Sequence, residues 1–175
     1  MAGSARGFAG QYPVLAGMEE SGVVRRGYFV SGLGAAQFAL PGAVDRLRRS
    51  ITDGGMTVLS ACDPASPFGL AVPWPASISE TSGHRPGRKA GALVVISHGR
   101  LVWFLERGGR TLLTFGTGPE EQLDAAACLV EARRLDRISP LTIESVDGIA
   151  VARTEAGKAL SRAGFRDSPK GLRLD

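Results

Sequence analysis

The chain has 175 residues, 43% of them hydrophobic, with 21 Lys and Arg against 17 Asp and Glu. That length suffices for one full domain, or for a small domain with part of another. No apolar run approaches the ~20 residues a bilayer-crossing helix needs, and Met1 to Phe8 hold no signal-peptide core, so no membrane role is read and a soluble cytoplasmic protein is expected.

Glycines among residues 1–10 read as a frayed start. Pro13 to Gly22 reads as a helix, with Val14, Leu15 and Met18 on one side and Gly22 as its stop. Val23 to Val30 and Ala35 to Leu40 read as two strands joined by Ser31-Gly32-Leu33-Gly34, which has the glycines of a tight hairpin. A helix followed by a β-ribbon is the closing half of a winged helix. Pro41 opens a second helix, where proline is tolerated. Val44, Leu47 and Ile51 share a face, and Asp53-Gly54-Gly55 ends it. The domain boundary is read here: 1–53 as the C-terminal half of a winged-helix domain, 54–175 as a second module.

That module is expected to be β-rich at first. Thr57 to Cys62 reads as a strand, and Ala92–Ser97, Arg100–Glu106 and Thr111–Phe115 read as a meander turning at His98-Gly99 and Gly108-Gly109. The strands are almost continuously apolar, so both faces are expected to be covered, by helices or by barrel closure. Asp63 to Gly91 carries five prolines and reads as irregular; a loop of that length has a task or moves. Thr117-Gly118-Pro119-Glu120 matches a capping box opening a helix whose buried stripe is Leu123, Ala127 and Val130. A hairpin is read over Leu141–Val146 and Ile149–Ala152 with Asp147-Gly148 as its turn. Thr154 then caps a short helix stopped by Gly164, and a strand near Gly171 to Leu174 ends the chain.

The run Arg26 to Arg48, the blocks Asp63-Pro64-Ala65-Ser66-Pro67-Phe68-Gly69, Pro73-Trp74-Pro75 and Arg85-Pro86-Gly87-Arg88-Lys89-Ala90-Gly91, and the closing Gly164-Phe165-Arg166 with Pro169 to Leu174 together resemble the C-terminal region of actinobacterial large helicase-related (Lhr-type) proteins. That family comprises ATP-dependent DNA helicases of the DEAD/DEAH-box kind. The resemblance covers the chain from about Gly22 onward. It implies winged helices and a β-barrel-like module, a likeness to winged-helix DNA glycosylases, and a task in DNA repair by binding DNA or excising a base. Implied partners are single-stranded or forked DNA, the motor domains of the parent protein, and a homo-oligomer.

The motor chemistry does not carry over. A phosphate-binding loop needs Gly-x-x-x-x-Gly-Lys-[Ser/Thr]. The nearest string, Gly83 to Ala90, is one residue short between its glycines, and Arg88 precedes Lys89. Ala90 then has no hydroxyl for magnesium. ATP and Mg would belong to motor domains outside this chain, and no cofactor is expected on it. The Gln-hydrophobic-Asp motif of the related glycosylases also fails, because Gln37-Phe38 is followed by Ala39.

Asp63 is the local carboxylate candidate for base excision, since it follows a strand and opens the long loop; its structural alternative is a turn residue before Pro64. For DNA backbone contact the densest cations are Arg85, Arg88 and Lys89, with Arg166 and Lys170 (and Arg173) as a second set. Only Lys89, Lys158 and Lys170 among the 21 cations are lysine. Arginine offers phosphate a planar fork. Phe68 and Trp74 read as anchors of the long loop, alternatively as base-stacking rings. Trp103 and Phe104 read as core. Cys62 and Cys128 form no Cys-x-x-Cys pair, His84 and His98 are the only histidines, and both thiols are expected to be buried small apolar groups rather than disulfide or zinc ligands. The fold class expected is α+β: the end of a winged helix, then a small β-barrel-like sheet with flanking helices.

Overall fold

Phe8 and Tyr12 stand one helical turn apart, and both rings meet Phe38, with centroids 6.5 and 5.9 Å away. This aromatic contact orders the first helix of the computed structural model, α1 (Phe8–Glu20), well before Pro13, which lies inside it. The structure describes residues 8–30, 36–50, 55–76, 83–116 and 118–175. The chain forms two compact units, Met1–Asp53 and Gly54–Asp175.

In the first unit α1 leads into a ribbon of β1 (Arg25–Gly27) and β2 (Gln37–Ala39), paired antiparallel with Arg25 opposite Ala39 and Gly27 opposite Gln37. The helix α2 (Ala43–Ser50) follows. The hairpin link Ser31 to Gly34, and Ile51, Asp53 and Gly54 at the end of α2, lie outside the described residues. The Gln37 side chain braces the ribbon. Its Oε1 accepts from the N–H groups of Phe29 and Val30, each at 2.8 Å, and its Nε2 donates to the Val30 carbonyl at 2.8 Å. Among the described residues of this unit, Val24 is the one buried apolar side chain.

The second unit is built on a six-stranded sheet of order β3 (Met56–Ser60), β4 (Leu93–Ser97), β5 (Arg100–Leu105), β6 (Thr111–Thr114), β8 (Ser145–Val146) and β9 (Ile149–Ala150). All neighbours are antiparallel except β6 and β8, which run parallel. The sheet is open, with β3 and β9 at its edges, so no closed barrel forms among the described residues. His98 and Asp147 adopt φ of 48° and 51° and each precedes a glycine of positive φ, the pattern of a tight hairpin turn. A second, three-stranded sheet has the order β10 (Arg166–Ser168), β11 (Gly171–Leu174), β7 (Leu141–Ile143). The single hairpin arm read from sequence over 141–146 is thus two strands in two sheets, with Glu144 as the break; Glu144 and Ser145 both donate their N–H to the Arg110 carbonyl.

Both faces of the large sheet are buried, by different means. Val95, Trp103, Leu105 and Leu112 face the helices α3 (Pro119–Arg134) and α4 (Glu155–Ala163). Val94, Phe104 and Leu113 face the proline-rich segment, whose Phe68, Val72 and Trp74 cover them. The Trp74 ring stacks on Phe68 at 6.0 Å and meets Phe104 edge-on at 5.6 Å. Gly69, at φ +70°, is needed there because a Cβ would overlap the Trp74 indole. The continuous apolar strands therefore reflect burial on both sides, with a loop as the second cover.

Two helix details depart from the sequence-based expectation. The α3 N-cap is Gly118 with Pro119 following, and no side chain caps it; Thr117 lies outside the described residues. Its buried stripe is Ala125, Ala126, Leu129 and Ala132, whereas Ala127 is exposed and Leu123 and Val130 are half-buried. Small side chains let α3 approach Ala156, Ala159 and Leu160 of α4 closely, so alanines take the centre and the larger residues flank it. In α4 the Thr154 hydroxyl accepts from the Gly157 N–H at 3.0 Å, and Gly164 ends the helix at φ 119°.

Candidate nucleic-acid interface

The basic segment 84–91 divides into residues that hold the fold and residues that face solvent. Arg88 is half-buried. Its Nη1 donates to the carbonyls of Ser66 at 2.9 Å and Phe68 at 3.2 Å, and its Nη2 to those of Cys62 at 2.9 Å and Asp63 at 3.1 Å. A guanidinium carries five donors in a rigid fork; here the fork gathers the proline-rich segment from four points. Arg85 and Lys89 on either side are exposed.

The same segment is tied to the β5–β6 hairpin. His84 Nδ1 lies 3.0 Å from Glu106 Oε2. A Cβ on Gly91 would sit 3.3 Å from Arg107 Cγ. Arg107 thus lies beside this segment; Arg85, Lys89 and Arg107 are all exposed, and no described residue forms an ion pair or side-chain hydrogen bond with any of the three. Gly108-Gly109 is legible in the sequence as a turn, but Arg107 is absent from the cations that charge density alone selects. The spacing Arg107-Gly108-Gly109-Arg110 is the signal that could have found it, since a glycine turn presents its flanking side chains outward.

The second basic set is on the small sheet. Arg166 stands directly opposite Arg173, and Arg173 opposite Thr142. Leu172 and Leu174, which alternate with Arg173, are buried, so this row is the solvent face. Two like charges directly opposite each other cost stability unless a counter-charge is near; Arg173 has Asp175, with its Nη2 2.5 Å from Oδ1. Lys170, in the turn between β10 and β11, is exposed.

Asp63 sits in the turn after β3, half-buried. Its Oδ1 accepts from the Ala65 N–H at 2.8 Å, and its main chain joins Ser60, Ser66 and Arg88. This is a side-chain turn that starts the proline-rich cover. A different carboxylate, Asp147, borders an open cavity of about 260 Å³ with Gln122, Arg153 and Thr154. Asp147 Oδ1 accepts from the Thr114 N–H at 3.0 Å and Oδ2 from its hydroxyl at 2.6 Å. Among the described residues no cluster of three or more His, Cys, Asp or Glu is placed to hold a metal ion. Cys62 is exposed, contrary to the buried thiol expected, because β3 ends at Ser60 and the chain turns there. Cys128 is half-buried, and burial pushes its thiol pKa up.

The helix–ribbon–helix order of the first unit, followed by an α+β unit, defines a winged-helix-containing protein. Residues 1–57 match the family model described as large helicase-related protein, winged-helix domain. The chain is 46% identical to "Lhr helicase/ probable uracil glycosylase" of Mycolicibacterium smegmatis over 182 aligned positions, covering 96% of this chain and 12% of that protein. It is 38% identical to "Lhr helicase/uracil glycosylase" of Escherichia coli K12 over 174 positions, covering 95% of this chain and 11% of that protein. The chain is thus similar to a segment of Lhr large helicase-related proteins, and it spans about one-eighth of the length of these relatives. Among the described residues no helix is long and apolar enough to cross a membrane.

Proposed function

We propose that this chain is a DNA-holding accessory segment of an Lhr-type helicase, which grips the sugar-phosphate backbone while ATP-driven movement belongs to motor domains outside it. The observation that carries this reading is the exposed trio Arg85, Lys89 and Arg107, free of ion pairs among the described residues. An exposed cation with no protein carboxylate to neutralise it is available to a phosphate, and each phosphate neutralised releases condensed counterions. Arg88 supports the trio indirectly, by fixing the segment that displays it. Arg166 and Lys170 form a second, separate point of contact.

The test is a titration of labelled single-stranded and forked DNA across a salt series, comparing the wild type with the triple variant Arg85→Gln, Lys89→Gln, Arg107→Gln. The expected result is weaker binding, with the slope of log affinity against log salt shallower by about 2 to 3, at roughly 0.7–0.9 for each phosphate no longer neutralised. An unchanged slope overturns the assignment of these residues. Self-association without DNA affinity, read by light scattering, would favour an oligomerisation module instead.

Base excision is a second reading, favoured by one structural observation: the Asp147 carboxylate lines a cavity with Arg153 and Gln122. Both relatives carry uracil glycosylase in their names. A carboxylate beside a base-sized recess is what glycosidic cleavage of an extruded base requires.

A further inference from the structure

Tyr28 is the most exposed large hydrophobic side chain of the described residues, at 83%. It follows β1 directly, and its ring and hydroxyl make no hydrogen bond or ring contact among the described residues. The chain around it is nevertheless held firmly. Gln37 takes the N–H groups of Phe29 and Val30 and donates to the Val30 carbonyl. The Phe29 ring folds back over Gly27, where a Cβ would lie 3.1 Å from its Cζ. Tyr28 is thus a large exposed aromatic on a braced ribbon, with no hydrogen bond or ring contact among the described residues.

Other rings are already engaged. Those of Phe8, Tyr12 and Phe38 pack on one another, and the aromatic rings of the second unit are buried or half-buried. Arg25, on the same ribbon, is exposed and forms no ion pair among the described residues. Arg26 is occupied: its guanidinium pairs with Glu19 at 3.4 Å and donates to the Tyr12 hydroxyl at 2.9 Å.

An exposed, pre-oriented aromatic is the arrangement that receives an unpaired base, and an exposed cation on the same ribbon is available to the backbone of that strand. Duplex DNA offers no such base, because its π-faces are already stacked. We propose that Tyr28 is a base-stacking site for single-stranded nucleic acid, with Arg25 of the same ribbon available to the backbone of the bound strand. This rests on the DNA-holding role above and adds to it a preference for unpaired strands.

The test uses the full chain and two labelled single strands of equal length, one of thymidines and one of abasic tetrahydrofuran units, which share a backbone and differ in bases. The wild type is expected to bind the thymidine strand more tightly. Tyr28→Ala is expected to lose about 5- to 150-fold on that strand and little on the abasic one, while Tyr28→Trp keeps the preference. Because Tyr28 is exposed and makes no hydrogen bond or ring contact among the described residues, its alanine variant should unfold at the same denaturant concentration as the wild type. Retention of the thymidine preference by Tyr28→Ala overturns the proposal and leaves the tyrosine to a protein contact. Binding of both strands with equal affinity by the wild type overturns the stacking site but keeps backbone holding. Failure of both strands to bind at low salt overturns both.

Discussion

Arg88 Nη2 lies 2.9 Å from the Cys62 carbonyl oxygen, across a span of chain that includes the whole proline-rich segment. With its other three carbonyl partners, this contact closes the cover over Val94, Phe104 and Leu113. Hydrogen bonds from a charged donor contribute about 1.5–3 kcal/mol each when shielded, and less where water can replace them. Arg88→Ala is therefore expected to lower stability by roughly 2 kcal/mol or more, measured as a shift in the urea midpoint. Arg88→Lys should not restore it, because one ammonium cannot reproduce a planar fork aimed at four oxygens. Arg85→Ala and Lys89→Ala, whose side chains are exposed, should leave the midpoint within about 0.5 kcal/mol of wild type. Equal loss of stability in all three variants would refute the division of the segment into a clamp and a displayed surface.

The two cysteines should separate in reactivity. Cys62 is exposed at a turn, while the Cys128 thiol donates to the Met56 carbonyl at 3.5 Å and burial holds its pKa above the ordinary thiol value. Only the thiolate attacks an alkylating agent. At pH 8, iodoacetamide is expected to modify Cys62 at least about ten times faster than Cys128, read by peptide mass spectrometry. A thiol whose folded pKa is raised keeps its full stability contribution below the unfolded value of about 8.5, and loses it as pH rises through the folded value. Cys128→Ala should remove that part of the alkaline decline, and Cys62→Ala should not.

What was legible in the sequence followed from local chemistry. The meander was readable because its strands are apolar without interruption and its turns pair His98 or Gly108 with a glycine. The winged-helix ribbon was readable from its flanking helix and from the blocks resembling Lhr proteins. The cover on the second face was not readable, because it depends on which distant residues a proline-rich chain falls upon; Phe68 and Trp74 gave only the hint that something there was anchored. The density of charge around Arg88 suggested a phosphate grip. Its carbonyl partners at Cys62, Asp63, Ser66 and Phe68 are invisible without coordinates. The α3 stripe was misplaced for a related reason: periodicity gives weight to Leu123 and Val130, whereas close packing against α4 selects the alanines between them.

Asp63 is the carboxylate read from the sequence and Asp147 is one of two, with Glu155, that line the recess; one pair of substitutions separates Asp63 from Asp147. Asp63 Oδ1 is committed to the Ala65 N–H. Asn offers the same acceptor, so Asp63→Asn should keep the turn and the stability while removing the charge. Asp147→Asn likewise leaves an oxygen for the Thr114 N–H, and its amide NH2 can donate to the Thr114 hydroxyl, but the hydroxyl loses its charged acceptor. A loss of about 1–2 kcal/mol is expected there. If the chain excises uracil, the product on a uracil-containing strand is an abasic site, seen as cleavage after alkali. Asp63→Asn is then expected to leave the yield unchanged, because the carboxylate serves a turn. Asp147→Asn should reduce it by at least about 100-fold, the scale of a missing acid–base or electrostatic contribution, in a background where unfolding shows the protein still native. The reverse pattern would return the chemistry to Asp63 and make the Asp147 cavity a structural recess. Full activity in both variants would place the reacting carboxylate elsewhere.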